Sequence, residues 1–117
     1  MDAGSSLGEA WRTAASETPA ALFRALADPT RRRLVERLVA GPASASELAR
    51  LLGLARVNVS HHLSVLAESG LVDLRARRAA VRPEALTRLR RYFDLALTTA
   101  AISLPEVGQT VARETQK

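Results

Sequence analysis

The chain has 117 residues, a length that suits one domain, and 47% of them are hydrophobic, enough to bury a core. Seventeen basic residues, sixteen of them Arg, face twelve acidic ones, for a formal charge of +5 and a pI near 11.2, which favours a polyanionic partner. The lack of cysteine excludes disulfides and thiolate metal sites; no stretch approaches the roughly 18 apolar residues of a membrane span, and the opening Met1-Asp2-Ala3-Gly4-Ser5-Ser6 is not a secretion signal, so a soluble cytoplasmic protein is expected.

Only 3% of residues are aromatic, so the core must be built from Ala, Leu and Val, a mixture that favours helices. A thin aliphatic core of this kind often gains stability by oligomerising. Residues 1–6 are small and polar. From Leu7 to about Leu26 apolar residues recur at helical spacing, but Glu17-Thr18-Pro19 interrupts them. The expected division is an N-terminal arm over 1–18, one domain over 19–104 and a frayed tail over 105–117.

Pro19 opens a first core helix. Asp28-Pro29 starts the next, with Asp as N-cap and Pro at the first helical position. That helix runs to about Val39, with Leu34, Val35, Leu38 and Val39 as its apolar stripe and Arg31, Arg32, Arg33 and Arg37 around it. Gly41-Pro42 ends it. Ser44-Ala45-Ser46-Glu47 fits a capping box. The short helix that follows carries Leu48, Ala49, Leu51 and Leu52 and stops at Gly53.

A further helix spans about 55–69, with Val59, Leu63 and Leu66 facing inward at i, i+4 and i+7. Residues 71–75 and 79–82 are partly β-like and suggest a small hairpin, although no Gly, Asn or Asp marks its turn. Pro83-Glu84 opens a final long helix to about Ser103. Leu86, Leu89, Phe93, Ala96, Leu97 and Ala100 form its stripe.

Short helix, tight turn, second helix with small polar residues at its start: this layout over 44–69 is that of a helix-turn-helix, whose second helix enters the DNA major groove. With Val59, Leu63 and Leu66 inward, the outward set is Arg56, Val57, Ser60, His61 and Ser64, with Asn58 at its edge. Arg56 can bond guanine O6 and N7, and Val57 can touch a thymine methyl. Ser60 and His61 can meet bases or phosphates. Asn58 can read adenine or cap the helix. No acidic residue interrupts this face before Glu68.

Four segments carry a family resemblance: Ala25-Leu26-Ala27-Asp28-Pro29-Thr30-Arg31-Arg32-Arg33-Leu34, Glu47-Leu48-Ala49, Val59-Ser60-His61-His62-Leu63-Ser64-Val65-Leu66 and Gly70-Leu71-Val72. Together they resemble the ArsR/SmtB family of bacterial winged-helix repressors over roughly residues 20–95. The resemblance implies a mainly α winged helix-turn-helix of about five helices, dimerising through its first and last helices. It implies a homodimer that places two reading helices in successive major grooves of a palindromic operator. It also puts Arg56, Val57, Ser60 and His61 on the family's DNA-reading positions. Arg56 and Val57 stand where the family often has polar residues, which points to a different operator sequence.

The chain departs from the family in the wing. Only the ten residues 73–82 separate Gly70-Leu71-Val72 from Pro83, without the tip glycine or the aromatics of the returning strand. A short, reduced wing is expected. Arg75, Arg77, Arg78 and Arg82 keep it basic, which suits phosphate or minor-groove contact.

The resemblance also raises metal sensing. One usual family site needs cysteines in the helix before the reading helix, and another needs Asp and His on the final helix. The chain has no cysteine, and its final helix has Asp94 but no His. Neighbouring helical residues point about 100° apart, so His61 and His62 do not share an ion. His61 should face DNA. His62 is read first as a hydrogen-bonded residue at the core edge; with carboxylates such as Asp2, Glu9 or Glu17 it would make a weak nickel or zinc site.

The leading expectation is a dimeric, sequence-specific DNA-binding regulator, most simply a repressor. The alternative is a winged-helix interaction module or activator that receives its signal, nickel or zinc included, through a co-regulator protein. An enzyme is not expected, since no carboxylate pair, nucleophile with a base, or phosphate-binding glycine loop is present.

Overall fold

A computed structural model describes residues 19–103. In chain order these form helices α1 (Pro19–Ala27) and α2 (Pro29–Val39), strand β1 (Ala43–Ser44), helices α3 (Ala45–Leu52) and α4 (Arg56–Glu68), strands β2 (Val72–Arg75) and β3 (Arg78–Val81), and helix α5 (Pro83–Ser103). The five helices and the small antiparallel sheet make a winged helix-turn-helix. The segments 1–18 and 105–117, read as arm and tail, lie outside the described residues.

Local chemistry sets most of these boundaries. Asp28 is the N-cap of α2, its Oδ2 accepting from the Arg31 backbone N–H at 2.9 Å ahead of Pro29. Ser44 caps α3 by accepting from the Glu47 N–H at 3.1 Å. The reciprocal half of the capping box is not made; the Glu47 carboxylate turns to Arg78, 3.8 Å away. Gly53 ends α3 in the left-handed region at φ 66°, a conformation that costs glycine little. Residues 53–55 are then all that separate α3 from α4.

The core is purely apolar among the described residues. Leu22 and Ala25 of α1, Leu34, Val35 and Leu38 of α2, and Leu48 and Ala49 of α3 meet Val59, Leu63 and Leu66 of α4 beneath Leu71, Val72 and Ala79. Burying each large side chain contributes about 1.5–3 kcal/mol, so the inner face of α4 fixes its rotation and thereby its outer face. Val39, expected in the α2 stripe, is instead 63% exposed. It lies one position beyond the buried Leu38, rotated about 100° away from the core.

The wing is a complete hairpin. Strands β2 and β3 pair antiparallel from Val72↔Val81 to Arg75↔Arg78. A third strand, which the sequence did not suggest, is β1, pairing Ala43 with Ala79 and Ser44 with Arg78 to give the order β1-β3-β2. The turn is two residues long, with Ala76 at φ 50° and Arg77 at φ 65°. Positive φ at both positions is the type I′ geometry that matches strand twist, here adopted without the usual Asn-Gly.

Helix α5 is only partly covered. Ala85 is its one buried residue, while Phe93 is 56% and Leu97 65% exposed. Phe23 of α1 packs edge-on against Tyr92 and Phe93, with ring centroids 5.2 and 5.7 Å away. Leu86, Phe93 and Leu97 thus leave an exposed apolar stripe along α5.

Candidate nucleic-acid interface

The outer face of α4 is built as its inner face requires. Arg56, Val57, Asn58, Ser60, His61 and Ser64 are all exposed, and Val57 is 79% so. Ala55 precedes the helix as N-cap without a side-chain hydrogen bond, so no side chain caps the first-turn amides of α4. Such amides carry partial positive charge and favour an anion.

Three elements converge beside this helix on an open cleft of 410 Å³. Helix α4 contributes Arg56, Ser60 and Ser64, and the wing contributes Arg77 and Arg78. Ser44 and Ser46 at the start of α3 complete the rim. These two serines were not singled out by the sequence beyond the capping role of Ser44; exposure of Ser46 in the first turn of α3 was the available signal. Buried Leu63 and Ala79 form an apolar base, and no acidic side chain lines the cleft. Ser64 spends its hydroxyl hydrogen on the Ser60 carbonyl at 3.1 Å and keeps its lone pairs outward.

The four wing arginines separate into two pairs. Arg77 and Arg78 line the cleft beside α4. Arg75 and Arg82 line a different one, of 250 Å³, together with Asp73 and Glu84. Arg75 is held by Asp73 at 2.9 Å, and Arg82 stands 3.9 Å from Glu84. Arg78 is also committed: it donates to the Pro42 carbonyl at 2.9 Å and pairs with Glu47, so it ties the wing to the α2–α3 connection. Arg56 and Arg77 make no ion pair or side-chain hydrogen bond among the described residues.

His62 lies apart from this face, half-buried between α4 and the α1–α2 junction. Its Nδ1 stands 3.4 Å from a guanidinium nitrogen of Arg31 and 4.0 Å from Oδ2 of Asp28. The Arg31 backbone N–H bond, joined by the charges of His62 and Arg31, holds the Asp28 carboxyl below its ordinary value against a smaller opposing effect of burial. No group of three or more His, Cys, Asp or Glu side chains arranged for a metal occurs among the described residues. The carboxylates Asp2, Glu9 and Glu17 considered with His62 lie outside them.

A family profile described as a helix-turn-helix domain matches residues 26–75, which spans α2 through the end of β2. The HTH-type transcriptional regulator Rv2034 of Mycobacterium tuberculosis is 44% identical over 99 residues, covering 78% of this chain and 92% of that protein. The crystal structure of an ArsR family transcriptional regulator superposes with a TM-score of 0.66 at 32% identity, over 71% of this chain and 96% of that one. The chain belongs to the ArsR family of transcriptional regulators. It is accordingly a DNA-binding regulator and not an enzyme. The probable mercury resistance operon repressor of Streptomyces lividans is 41% identical over 59 residues, half of this chain (50%) and 47% of that protein. Among the described residues, no helix of this ArsR family member is long and apolar enough to cross a membrane.

Proposed function

We propose that the protein is a cytoplasmic, homodimeric repressor that reads a palindromic operator with α4. The observation that carries this is the cleft in which Arg56, Ser60 and Ser64 of α4 meet Arg77 of the wing without an acidic neighbour. An unpaired guanidinium at the start of an exposed helix can bond guanine in the major groove. A second one at the wing tip suits the phosphate backbone alongside. Val57, Asn58 and His61 extend the base-facing surface, and Arg78 adds charge while anchoring the wing. Arg75 and Arg82, each paired with a carboxylate two residues away, serve as a secondary backbone contact. Repression follows the relatives, which include a probable mercury resistance operon repressor.

Dimerisation runs through α1 and α5 in this proposal. The exposed stripe of Leu86, Phe93 and Leu97 on α5, next to Phe23 of α1, supports it. Sedimentation of the purified protein should give twice the monomer mass. Phe93→Asp should return it to a monomer and lower operator affinity with it.

The mercury-resistance relative makes a metal ion the first effector to test, with nickel and zinc among the ions; a co-regulator protein is the other route for a signal. Selection of genomic DNA by the purified protein, with and without each metal, tests the whole proposal. It should return one inverted-repeat motif. Recovery of DNA without a common motif would contradict sequence-specific repression.

A further inference from the structure

The two neighbours of His62 make opposite demands on the same nitrogen. The Arg31 guanidinium only donates, so its 3.4 Å contact needs a bare lone pair on Nδ1. The Asp28 carboxylate only accepts, so engaging it, from 4.0 Å, needs a proton on Nδ1. One nitrogen cannot satisfy both.

Arg31 is also fixed at its other end. Its Nε donates to the Ala25 carbonyl at 2.6 Å and a terminal nitrogen donates to the Arg24 carbonyl at 3.1 Å, closing the end of α1. The remaining guanidinium nitrogen reaches α4 through His62. One side chain thus joins α1, α2 and α4. The neighbouring residue on α4, His61, is on the outward face, with its ring 5.8 Å from that of His62. The other charged groups around the junction are Arg24 of α1 and Glu68 of α4, which share a cleft with Arg31.

We propose that His62 is a proton-operated positioning residue for operator binding: with Nδ1 bare it accepts from Arg31 and ties α4 to the end of α1, and with Nδ1 protonated it turns to Asp28 and releases Arg31. The proton comes from solvent, and no other covalent bond changes. The inference rests on α4 being the DNA-reading helix. It adds that the seating of α4 depends on the α1 junction and on pH. Protonation by itself adds positive charge, which favours DNA. A loss of affinity on acidification therefore has to come from repositioning.

The test has two arms on the full chain. In the first, the Arg31 Nε–H and the His62 ring are followed together by NMR across the histidine range, from about pH 8 to about pH 6. The Arg31 signal should move along the His62 titration curve. In the second, affinity for the duplex recovered by DNA selection is measured by fluorescence anisotropy at both ends of that range. The wild type should lose roughly fivefold more affinity on acidification than His62→Gln, which can accept from Arg31 but does not titrate. An Arg31 signal indifferent to His62, or a His62→Gln profile that follows the wild type, overturns the proposal. If His62→Gln does not fold by circular dichroism, the wild-type NMR titration decides. Arg56→Ala on the same duplex reports separately on the placement of α4: unchanged binding there would remove the reading face while leaving the His62–Arg31 titration intact.

Discussion

The arginines of α2 and those beside α4 are the same residue put to opposite uses. Arg31 and Arg32 donate to the last carbonyls of α1, with Arg32 reaching Leu26 at 2.7 Å and Ala27 at 3.1 Å. Arg33 reaches the Leu52 carbonyl at the end of α3, and Arg37 that of Gly41. The run that makes this chain look basic thus closes the exposed ends of helices, where unsatisfied carbonyls gather negative partial charge. Arg56 and Arg77 have no such work. In the proposed reading, what separates a structural arginine from a DNA-contacting one is whether its donors are already spent, and net charge does not reveal that.

Substitutions should separate the two groups cleanly. The largest effect is expected for Arg31→Ala, which removes three contacts at a half-buried junction. It should lower stability by about 2–3 kcal/mol, or roughly 10–20 °C in Tm, read by thermal denaturation. Arg77→Ala should leave Tm unchanged and weaken binding to all DNA sequences alike, reducing the slope of log affinity against log salt by about 1. Arg78→Ala should show the same loss of binding together with a lower Tm, because Arg78 also holds Pro42 and Glu47. An Arg77→Ala variant that melted as early as Arg31→Ala would erase the distinction.

Two smaller effects sharpen it. The Asp28 carboxyl is held below its ordinary value by the Arg31 backbone N–H, with His62 and Arg31 adding. A depressed carboxylate contributes stability above its unfolded pKa, and that stability is lost as pH falls through the folded value. The wild type should therefore lose Tm as pH falls from about 4 downward. Asp28→Asn, which keeps the N-cap but cannot titrate, should lose less Tm over the same range. At the wing tip, Ala76→Asn places a residue that tolerates positive φ and should raise stability by about 0.5–1 kcal/mol while leaving Arg77 and DNA binding intact.

Much of this architecture was legible because the decisive signals are local. Pro19, Asp28-Pro29, Ser44, Gly53 and Pro83 mark helix ends through backbone chemistry that acts within a few residues. The Val59, Leu63 and Leu66 spacing then set which side of α4 faces out. The missed features depend on residues distant in the chain. Strand β1 has two residues, too few to show an alternation, and exists because β3 offers it an edge. The hairpin turn carries no residue suited to positive φ, so pairing along the strands imposes the geometry on Ala76 and Arg77. Glu47 signalled a capping box, yet the guanidinium of Arg78, 31 residues later, proved the better partner. The division of the wing arginines likewise needed the hairpin's register. The sequence put His62 at the core edge, but the group it meets there was invisible, since Arg31 precedes it by 31 positions.

The placement of the reading face is tested most directly at Arg56. Operator affinity of wild type and Arg56→Ala should be compared by anisotropy titration on the selected duplex and on variants changed at each guanine. The alanine protein should fold with an unchanged Tm, bind about 1–3 kcal/mol more weakly, and lose discrimination at one guanine in each half-site. Unchanged affinity and discrimination would contradict α4 as the helix that reads DNA.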